Sequence, residues 1–524
     1  MKTYSKYFLL ALLLLLGIFI VLKANKKVPT LITIDSGVIE GIKDSTHEIR
    51  IFKGIPYAAP PVGDLRWKAP QPVQSWEGVR NCTKFAASAI QNEPKPFLCW
   101  SSEYLIPKDP IREDCLYLNV WTGANEPSER RPVLVYIHGG AFISGGSACP
   151  VYDGEGLAKK GIVVVNFNYR LGKFGYMAHP ELSKESAYNS SGNYNLLDMV
   201  AALQWVQRNI SAFGGNPDNV TIAGQSAGAV AVSYLTTSPL GKGLFHKAIA
   251  ESGGASFIGT KHSRSAFSLD AAEQKGVAFS QALHCQSIAE LRAKPASDIL
   301  KATEGFDVPM IDGYVIQEDN LTAYQNGKQI DVPILLGWNK DDLEGGTITK
   351  AEFEERIQNR FGELSEEFIT EYPSASDEEA TQSLAHMVRD ESIGIAMYTW
   401  AKMQAKTGKS KVFLYNFQRN LPGNSNGRDF GAFHSGEIPY AYHNLHKLHR
   451  PWTEIDYEIS DVMSDYWVNF IKTGDPNSAG LPQWNAYDSV AEQVMVFDSI
   501  IEAKPLPTKA KMVLWEKYFR SNSR

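Results

Sequence analysis

The sequence predicts an α/β fold in which a large, mostly parallel central sheet is covered by helices on both faces. Five apolar runs have the length of buried strands, and longer segments with helical periodicity separate them. Strands that are apolar on both sides need helices on both faces of their sheet, which is the pattern of an α/β domain. The five runs are residues 133–137, 162–165, 220–223, 333–336 and 412–415.

Composition places the chain among ordinary globular proteins. Of the 524 residues, 44% are hydrophobic and 21% are charged, and the formal net charge is −6. A mildly acidic chain without basic runs lacks the electrostatic footprint that nucleic-acid binding requires, so no nucleic-acid partner is expected. Because no linker interrupts the pattern, residues 28–524 are predicted to form one enlarged domain.

The N-terminus has the features of a targeting segment. Lys2 and Lys6 are followed by an apolar run over residues 7–22. This pattern predicts that residues 1–27 are a signal peptide or an uncleaved signal anchor. The protein is therefore expected outside the cytoplasm, as a secreted, periplasmic or membrane-anchored chain, and only this segment would contact a membrane.

Helical segments accompany the predicted strands. Ile459, Met463 and Trp467 repeat at helical spacing, and Gly474 is expected to end that helix. Residues 268–300 and 350–404 are charged and helix-like. We expect these two stretches to be insertions at the upper face of the sheet, where they would form the walls of a cleft.

A glycine-flanked serine follows directly after the run at residues 220–223. The motif is Gly224-Gln225-Ser226-Ala227-Gly228. It has the form of a nucleophile elbow, the strand-to-helix turn that exposes a serine hydroxyl to a base. An ordinary glycine-rich turn is the simpler alternative, because the motif also occurs by chance.

A second motif strengthens the interpretation of Ser226. The run at residues 133–137 ends in His138-Gly139-Gly140-Ala141-Phe142, a His-Gly-Gly pattern typical of esterase oxyanion loops. The N–H groups of Gly139, Gly140 and Ala227 could together stabilise the negative charge of a tetrahedral intermediate. Ala141 and Phe142, next to these donors, are expected to line the substrate pocket.

His434 is the candidate general base. It lies C-terminal to the elbow in a glycine-flanked loop, which suits a base that reaches across a cleft. Phe433, its neighbour, is expected to line the pocket. A competing cluster of His443, His446 and His449 has no recognised metal-ligand spacing, so no metal site is predicted.

Three carboxylates are candidates for the acid that would orient His434. After the run at residues 333–336 come Asp341, Asp342 and Glu344, three carboxylates within four positions. One of them should orient the imidazole and stabilise the imidazolium, and the other two would be solvated loop charges.

Taken together, these motifs resemble the type-B carboxylesterases, the large α/β-hydrolase family that includes the cholinesterases. The resemblance extends over nearly the whole chain and includes long matching stretches at residues 52–67, 113–120 and 168–175. It implies an α/β-hydrolase fold for residues 28–524, with helical insertions around an active-site gorge. It also implies an ion pair between Arg66 and Glu113.

The resemblance implies roles for individual residues. Ser226 matches the nucleophile, His434 the base, and Gly139, Gly140 and Ala227 the oxyanion donors. Asp342 aligns with the acid, although the family usually has glutamate there, and Glu344 is a rival if the loop is displaced.

Two further implications concern the surroundings of these residues. Gln225 stands where many family members have glutamate, so choline esters are not expected as substrates. Cys82 and Cys115 match the family's first disulfide, whereas the states of Cys99, Cys149 and Cys285 stay open. An isolated tryptophan such as Trp100 is more typical of a packing residue than of an aromatic platform that binds choline.

The resemblance implies a serine carboxylic-ester hydrolase that acts on a small-molecule ester without a cofactor. Two alternatives stay open from the sequence. One is a non-catalytic, cholinesterase-like adhesion protein, and the other is amide or carbamate hydrolysis in the same site. The natural ester and the oligomeric state are not predictable from these motifs.

Overall fold

Eleven strands of the described chain form one twisted sheet that fixes the position of every candidate site residue. The computed structural model describes residues 30–521 except 47, 109, 255–256, 258–266, 304 and 424–428. The predicted signal segment, residues 1–27, lies outside the described residues. None of the helices in the described ranges is long and apolar enough to cross a bilayer.

The strand order of the large sheet is β16-β15-β14-β13-β12-β11-β9-β10-β8-β4-β3, and its seven central strands, β15 to β10 in this order, are mutually parallel. Antiparallel strands close both edges. The remaining strands form a three-stranded sheet, β1-β2-β5, and the pair β6-β7. The strands are β1 (Leu31–Ile34), β2 (Gly37–Glu40), β3 (Ile42–Lys43), β4 (Arg50–Pro56), β5 (Val79–Asn81), β6 (Ser88–Ala89), β7 (Ile111–Arg112), β8 (Tyr117–Thr122), β9 (Arg131–Ile137), β10 (Val163–Phe167), β11 (Gly215–Gln225), β12 (Lys247–Glu251), β13 (Ile334–Asn339), β14 (Val412–Phe417), β15 (Gln493–Phe497) and β16 (Glu502–Pro505).

The five predicted strands are confirmed as β9, β10, β11, β13 and β14, which are all central and parallel. Their residues are almost entirely buried because helices cover both faces of the sheet. The described α-helices are α1 (Glu155–Lys159), α2 (Gly172–Tyr176), α3 (Pro180–Glu185), α4 (Tyr194–Asn209), α5 (Ala227–Leu235), α6 (Leu269–Ala282), α7 (Ile288–Ala293), α8 (Ala296–Ala302), α9 (Asn320–Gln325), α10 (Lys350–Phe361), α11 (Ser365–Glu371), α12 (Asp377–Arg389), α13 (Ile395–Thr407), α14 (Ile438–Ala441), α15 (Glu454–Thr473) and α16 (Lys509–Ser521).

The predicted helical stripe is confirmed in α15. Ile459, Met463 and Trp467 are buried against the sheet. Gly474 adopts a left-handed φ of 81°, and its N–H donates to the Phe470 carbonyl, which ends the helix where the sequence predicts. This helix contacts α14, which follows the His434 loop.

The two predicted insertions are helical, as expected. The first contains α6, α7 and α8, and the second contains α10 to α13 with a π-helical turn at Asp390–Gly394. The Arg66–Glu113 ion pair is confirmed, with Nη2 2.5 Å from Oε1, and Arg66 also donates to the carbonyls of Arg292 and Lys294. The bonds of Arg66 to these two carbonyls therefore connect the first insertion to the N-terminal part of the chain.

Candidate active site

Ser226 occupies a strained turn between β11 and α5. Its φ of 57° and ψ of −125° lie in a region that residues with a side chain rarely adopt. The Ser226 N–H donates to the Glu251 carbonyl at the end of β12, 2.8 Å away. The turn projects the serine side chain into a cavity at the carboxyl end of the parallel strands, where such sheets place their binding sites.

The two glycines of the motif are required by close backbone contacts. A Cβ on Gly224 would lie 2.5 Å from the carbonyl carbon of Gly228. A Cβ on Gly228 would lie 2.1 Å from the carbonyl oxygen of Ile137, at the end of β9. Because real Cβ atoms do not approach backbone so closely, both positions need glycine for the strand, turn and helix to pack.

The loop after β9 lies beside Ser226. A Cβ on Gly139 would be only 3.1 Å from the Ser226 Cβ, and Gly140 has a φ of 108° that favours glycine. Ala141 and Phe142 also have positive φ, 53° and 61°, so the loop is strained over several residues. In the described part of the chain the N–H groups of Gly139 and Gly140 donate to no protein acceptor, and they are free for a ligand.

His138 fixes the base of this loop without facing the cavity. Its ring stacks on Tyr169 with centroids 4.2 Å apart, and the Tyr169 hydroxyl donates to the His138 carbonyl. Burial lowers the pKa of His138 to about 4, so its imidazole is neutral at physiological pH. These contacts indicate a structural role for this histidine.

His434 and Asp342 are in direct contact. The Nδ1 atom of His434 lies 2.7 Å from Oδ1 of Asp342, whose other oxygen accepts from the Ser252 hydroxyl and from the Asn339 N–H. Burial lowers the pKa of His434, but the hydrogen bond to Asp342 and its negative charge outweigh this effect, and the pKa is raised.

The three candidate carboxylates are in different environments. Asp342 is 1% exposed and holds the His434 ring. Asp341 accepts from the Ala432 N–H, which joins the acid loop to the histidine loop. Glu344 lies at the exposed surface. The structure therefore places Asp342, and not Glu344, against the histidine.

A cavity of about 470 Å³ brings the predicted residues together. Ser226, His434, Ala227, Ala141 and Phe142 all line it. Among the described residues the Ser226 hydroxyl makes no hydrogen bond, which is common for catalytic groups before a substrate binds. The other lining residues are Val230, Tyr234, Ser252, Gly253, Gly254, Phe267, Phe306, Val308, Pro309, Ile311, Asp319, Leu343, Ser392 and Ile393.

One predicted pocket residue lies elsewhere. The Phe433 ring packs against Tyr104, with ring centroids 6.0 Å apart, and under the guanidinium of Arg450. Phe433 is therefore a buried packing residue of the histidine loop, and its expected place in the cavity wall was wrong.

The predicted disulfide is not formed. All five cysteines are free thiols, and Cys82 and Cys115 are both buried. The Cys82 carbonyl accepts from the Lys53 N–H, whereas Cys115 lies near the buried Arg170–Asp198 pair. Burial raises the pKa of Cys82 to about 11, so this thiol stays protonated and unreactive.

The cluster of His443, His446 and His449 is not arranged around a metal ion in the described structure. His443 Nε2 lies 2.8 Å from Asp461 Oδ1 on α15. Within the described ranges no group of three or more histidine, cysteine, aspartate or glutamate side chains could hold a metal ion.

Two buried carboxyl groups behind His434 were missed by sequence reasoning. Glu251 accepts from the Trp467 indole and the Tyr442 hydroxyl, and Glu437 accepts from the Asn339 amide. Burial raises the pKa of both to about 8, and for Glu437 the nearby Glu251 carboxyl adds to the increase. No local pattern marks these positions, because each glutamate is buried only by the assembled fold.

These raised pKa values predict a pH-dependent stability. An unfolded glutamate ionises near 4.5, whereas these two stay protonated in the fold to about 8, so the folded state binds more protons between those values. Stability should therefore fall as the pH rises through this window. In Glu251→Gln the fall between pH 5 and pH 8 should be smaller by at least about 1 kcal/mol, as measured by chemical denaturation. The exposed Glu502→Gln should match the wild type, and equal slopes for all three proteins would contradict this prediction.

A serine in a strained strand-to-helix turn, a histidine on a buried carboxylate and a glycine loop beside them are the arrangement of the α/β-hydrolase class. Comparison with known proteins agrees with this class. The sequence profile of the Carboxylesterase family matches residues 28–515. The chain therefore belongs to the carboxylesterase family, and it is an ester hydrolase.

Named relatives include several esterases. The fumonisin B1 esterase of Sphingopyxis macrogoltabida is 35% identical over 490 residues, which are 88% of this chain and 85% of that protein. The para-nitrobenzyl esterase of Bacillus subtilis (strain 168) is 33% identical over 510 residues, 92% of this chain and 97% of that one. The cholinesterase of Mus musculus is 32% identical over 538 residues, 95% of this chain and 88% of that one.

Proposed function

We propose that the protein hydrolyses carboxylic esters through an acyl-enzyme formed on Ser226. The observation that carries this proposal is the contact of 2.7 Å between His434 Nδ1 and Asp342 Oδ1 in a cavity that Ser226 also lines. With Nδ1 bonded to the carboxylate, the proton on the ring is held there, and Nε2 has the lone pair of a general base.

The reaction proceeds in two halves. The Ser226 oxygen attacks the ester carbonyl carbon while its proton moves to Nε2 of His434. The carbonyl oxygen becomes an oxyanion that accepts from the N–H groups of Gly139, Gly140 and Ala227. The imidazolium then protonates the leaving alcohol oxygen, which gives the acyl-enzyme. Water repeats these steps on the acyl group and releases the carboxylic acid and Ser226. No step needs a cofactor or a metal ion.

Two experiments test this mechanism. Stoichiometric labelling of Ser226 by an organophosphate, mapped by peptide mass spectrometry, would support the mechanism. The serine of a non-catalytic adhesion protein would stay unlabelled. Matched p-nitrophenyl esters and p-nitroanilides separate ester from amide cleavage. We expect the esters to react faster, because p-nitrophenolate can leave without prior protonation, whereas the anilide nitrogen must be protonated before it leaves.

The walls of the cavity favour neutral, apolar esters. Phenylalanine, valine, leucine, isoleucine, alanine and proline make up eleven of the nineteen described lining residues, and Asp319 is the one carboxylate among them. The Asp319 side chain accepts from the N–H and the hydroxyl of Thr322, where it caps α9. Both oxygens of this carboxylate accept hydrogen bonds in the cap, so the one acidic group among the described lining residues is already engaged by Thr322.

Phe306 is expected to set the preference for long chains. It lines the cavity although its side chain is 69% exposed, so it can cover a long apolar group that leaves the site. Phe306→Ser should lower kcat/KM for p-nitrophenyl decanoate by roughly tenfold, with little change for the acetate. Val490→Ser, at an exposed apolar residue outside the cavity, is the matched control. Equal losses for both esters would contradict this role.

We also propose that the mature protein acts outside the cytoplasm. The support is the leucine-rich segment after Lys2 and Lys6. Cell fractionation followed by N-terminal sequencing would show whether the chain is exported and whether residues 1–27 are removed. A cytoplasmic protein with an intact N-terminus would contradict export.

A further inference from the structure

Three polar side chains form a connected chain beside the His434 ring. The Trp100 indole N–H donates to the Ser435 hydroxyl at 3.4 Å, and the Ser435 hydroxyl donates to Oε1 of Gln225 at 3.1 Å. Gln225 and Ser435 are 1% and 5% exposed. The chain joins three parts of the molecule: the loop at Trp100, the residue after His434 and the residue before Ser226.

The hydrogen bonds of this chain run in one direction, from Trp100 to Gln225. An indole N–H can only donate, so Ser435 accepts there, and its own hydrogen is directed at Oε1 of Gln225. The carbonyl end of the Gln225 amide therefore faces Ser435, and the NH₂ end faces His434.

The amide nitrogen of Gln225 lies over the face of the imidazole. It is 3.2 Å from Nε2 and 3.4 Å from Nδ1 of His434. A donor aligned with the in-plane lone pair of one ring nitrogen would be much farther from the other, so near-equal distances place it above the ring. The lone pair of Nε2 consequently stays available in the ring plane for the Ser226 proton.

The other contacts of the ring complete its confinement. Trp100 meets it edge to face, with centroids 6.2 Å apart and an angle of 86° between the planes. The charged or titratable groups that face His434 are Asp342, at Nδ1, and Glu437, which acts at longer range. Gln225 adds a neutral group to one face of the ring.

We propose that Trp100, Ser435 and Gln225 form a relay that orients the His434 ring toward Ser226 and keeps negative charge away from its face. The three are positioning residues, because they act through His434. The inference rests on the proposed function, since it assumes that His434 is the base. It gives the neutral amide of Gln225 a use that a negatively charged carboxylate could not serve.

The first test is the pH profile of kcat/KM for p-nitrophenyl acetate. Gln225→Glu keeps the shape of the side chain but places a negative charge over the ring, which stabilises the imidazolium. The acid limb of the profile should move up by about one pH unit, because the base must lose its proton before it can act. An acid limb at the wild-type position would overturn the proposal.

The second test breaks the relay without adding charge. Ser435→Ala removes the link that fixes the Gln225 amide, and kcat should fall about tenfold with KM nearly unchanged. Trp100→Phe keeps a ring beside His434 but removes the donor, and a smaller fall in kcat is expected. Ser464→Ala, which removes another buried hydroxyl on α15, controls for general loss of packing.

A failure of the relay can be distinguished from a failure of the proposed function. If the wild type hydrolyses p-nitrophenyl acetate and Ser226→Ala does not, the mechanism stands. Wild-type values of kcat in folded Ser435→Ala and Trp100→Phe would then overturn the relay alone. An equal fall in Ser464→Ala would likewise overturn it, because the loss would reflect packing.

Discussion

Replacing Ser226 by alanine is expected to lower kcat for p-nitrophenyl esters by a factor on the order of 10⁴ or more. The variant lacks the oxygen that becomes acylated, and the neighbouring groups cannot substitute for it. The oxyanion donors and the cavity would remain, so a small rate above that of water should persist. KM should change little, because the hydroxyl contributes little to binding of the ground state.

The measurement needs two controls. Ser460→Ala removes a buried hydroxyl on α15 that donates to the Tyr440 carbonyl, and its activity should match that of the wild type. Labelling by an organophosphate should be lost in Ser226→Ala and retained in Ser460→Ala. Ser226→Ala enzyme that keeps more than a few per cent of the wild-type kcat would show that another residue is the nucleophile.

Sequence reasoning succeeded where one local pattern is enough to define a structure. The central strands are continuous apolar runs, and the elbow is a short motif whose glycines are explained by contacts such as that of Gly228 with Ile137. The placement of Asp342 beside His434 came from family resemblance, because the acid and the histidine are 92 positions apart. Parallel strands end at one edge of a sheet, which is why such distant loops can meet.

The features that sequence analysis did not predict have a common physical cause. They depend on tertiary contacts, which a local sequence pattern does not reveal. Strand β12 was missed because Lys247 and Glu251 at its ends look like surface charges. In the fold, the Lys247 ammonium bonds to Asn219, and Glu251 bonds to Trp467. Both ionisable groups are buried, and their partners lie 28 and 216 positions away in the sequence, so only the assembled structure supplies those partners.

The relay of Trp100, Ser435 and Gln225 was also not predictable from local sequence. Gln225 and Ser435 stand next to Ser226 and His434 in the sequence, so their importance could have been suspected from position alone. The direction of the hydrogen bonds depends on Trp100, however, which lies in a loop that no motif connects with the site. The family resemblance predicts glutamate at position 225, but it does not predict what holds the amide of Gln225 in place.

Replacing Asp342 by alanine is expected to lower kcat about 10⁴-fold, whereas Glu344→Ala should leave it nearly unchanged. Asp342 is the carboxylate that contacts His434, and its second oxygen is held by Ser252 and by the Asn339 N–H. Without it, the imidazole loses both its orientation and the charge that stabilises its protonated form. The shorter aspartate side chain reaches the imidazole because the acid loop is joined to the histidine loop through the pairing of residues 341 and 433.

Asp342→Asn separates charge from shape. The amide has the size of the carboxylate, but its NH₂ end would favour the wrong tautomer of His434, so activity should fall almost as far as in the alanine variant. Steady-state kinetics of all three variants with p-nitrophenyl acetate gives the comparison, and thermal unfolding verifies that each is folded. A large loss in Glu344→Ala together with an active Asp342→Ala would transfer the role to Glu344. Such a result would require the acid loop to rearrange, because Asp342 is buried against the ring while Glu344 lies at the surface.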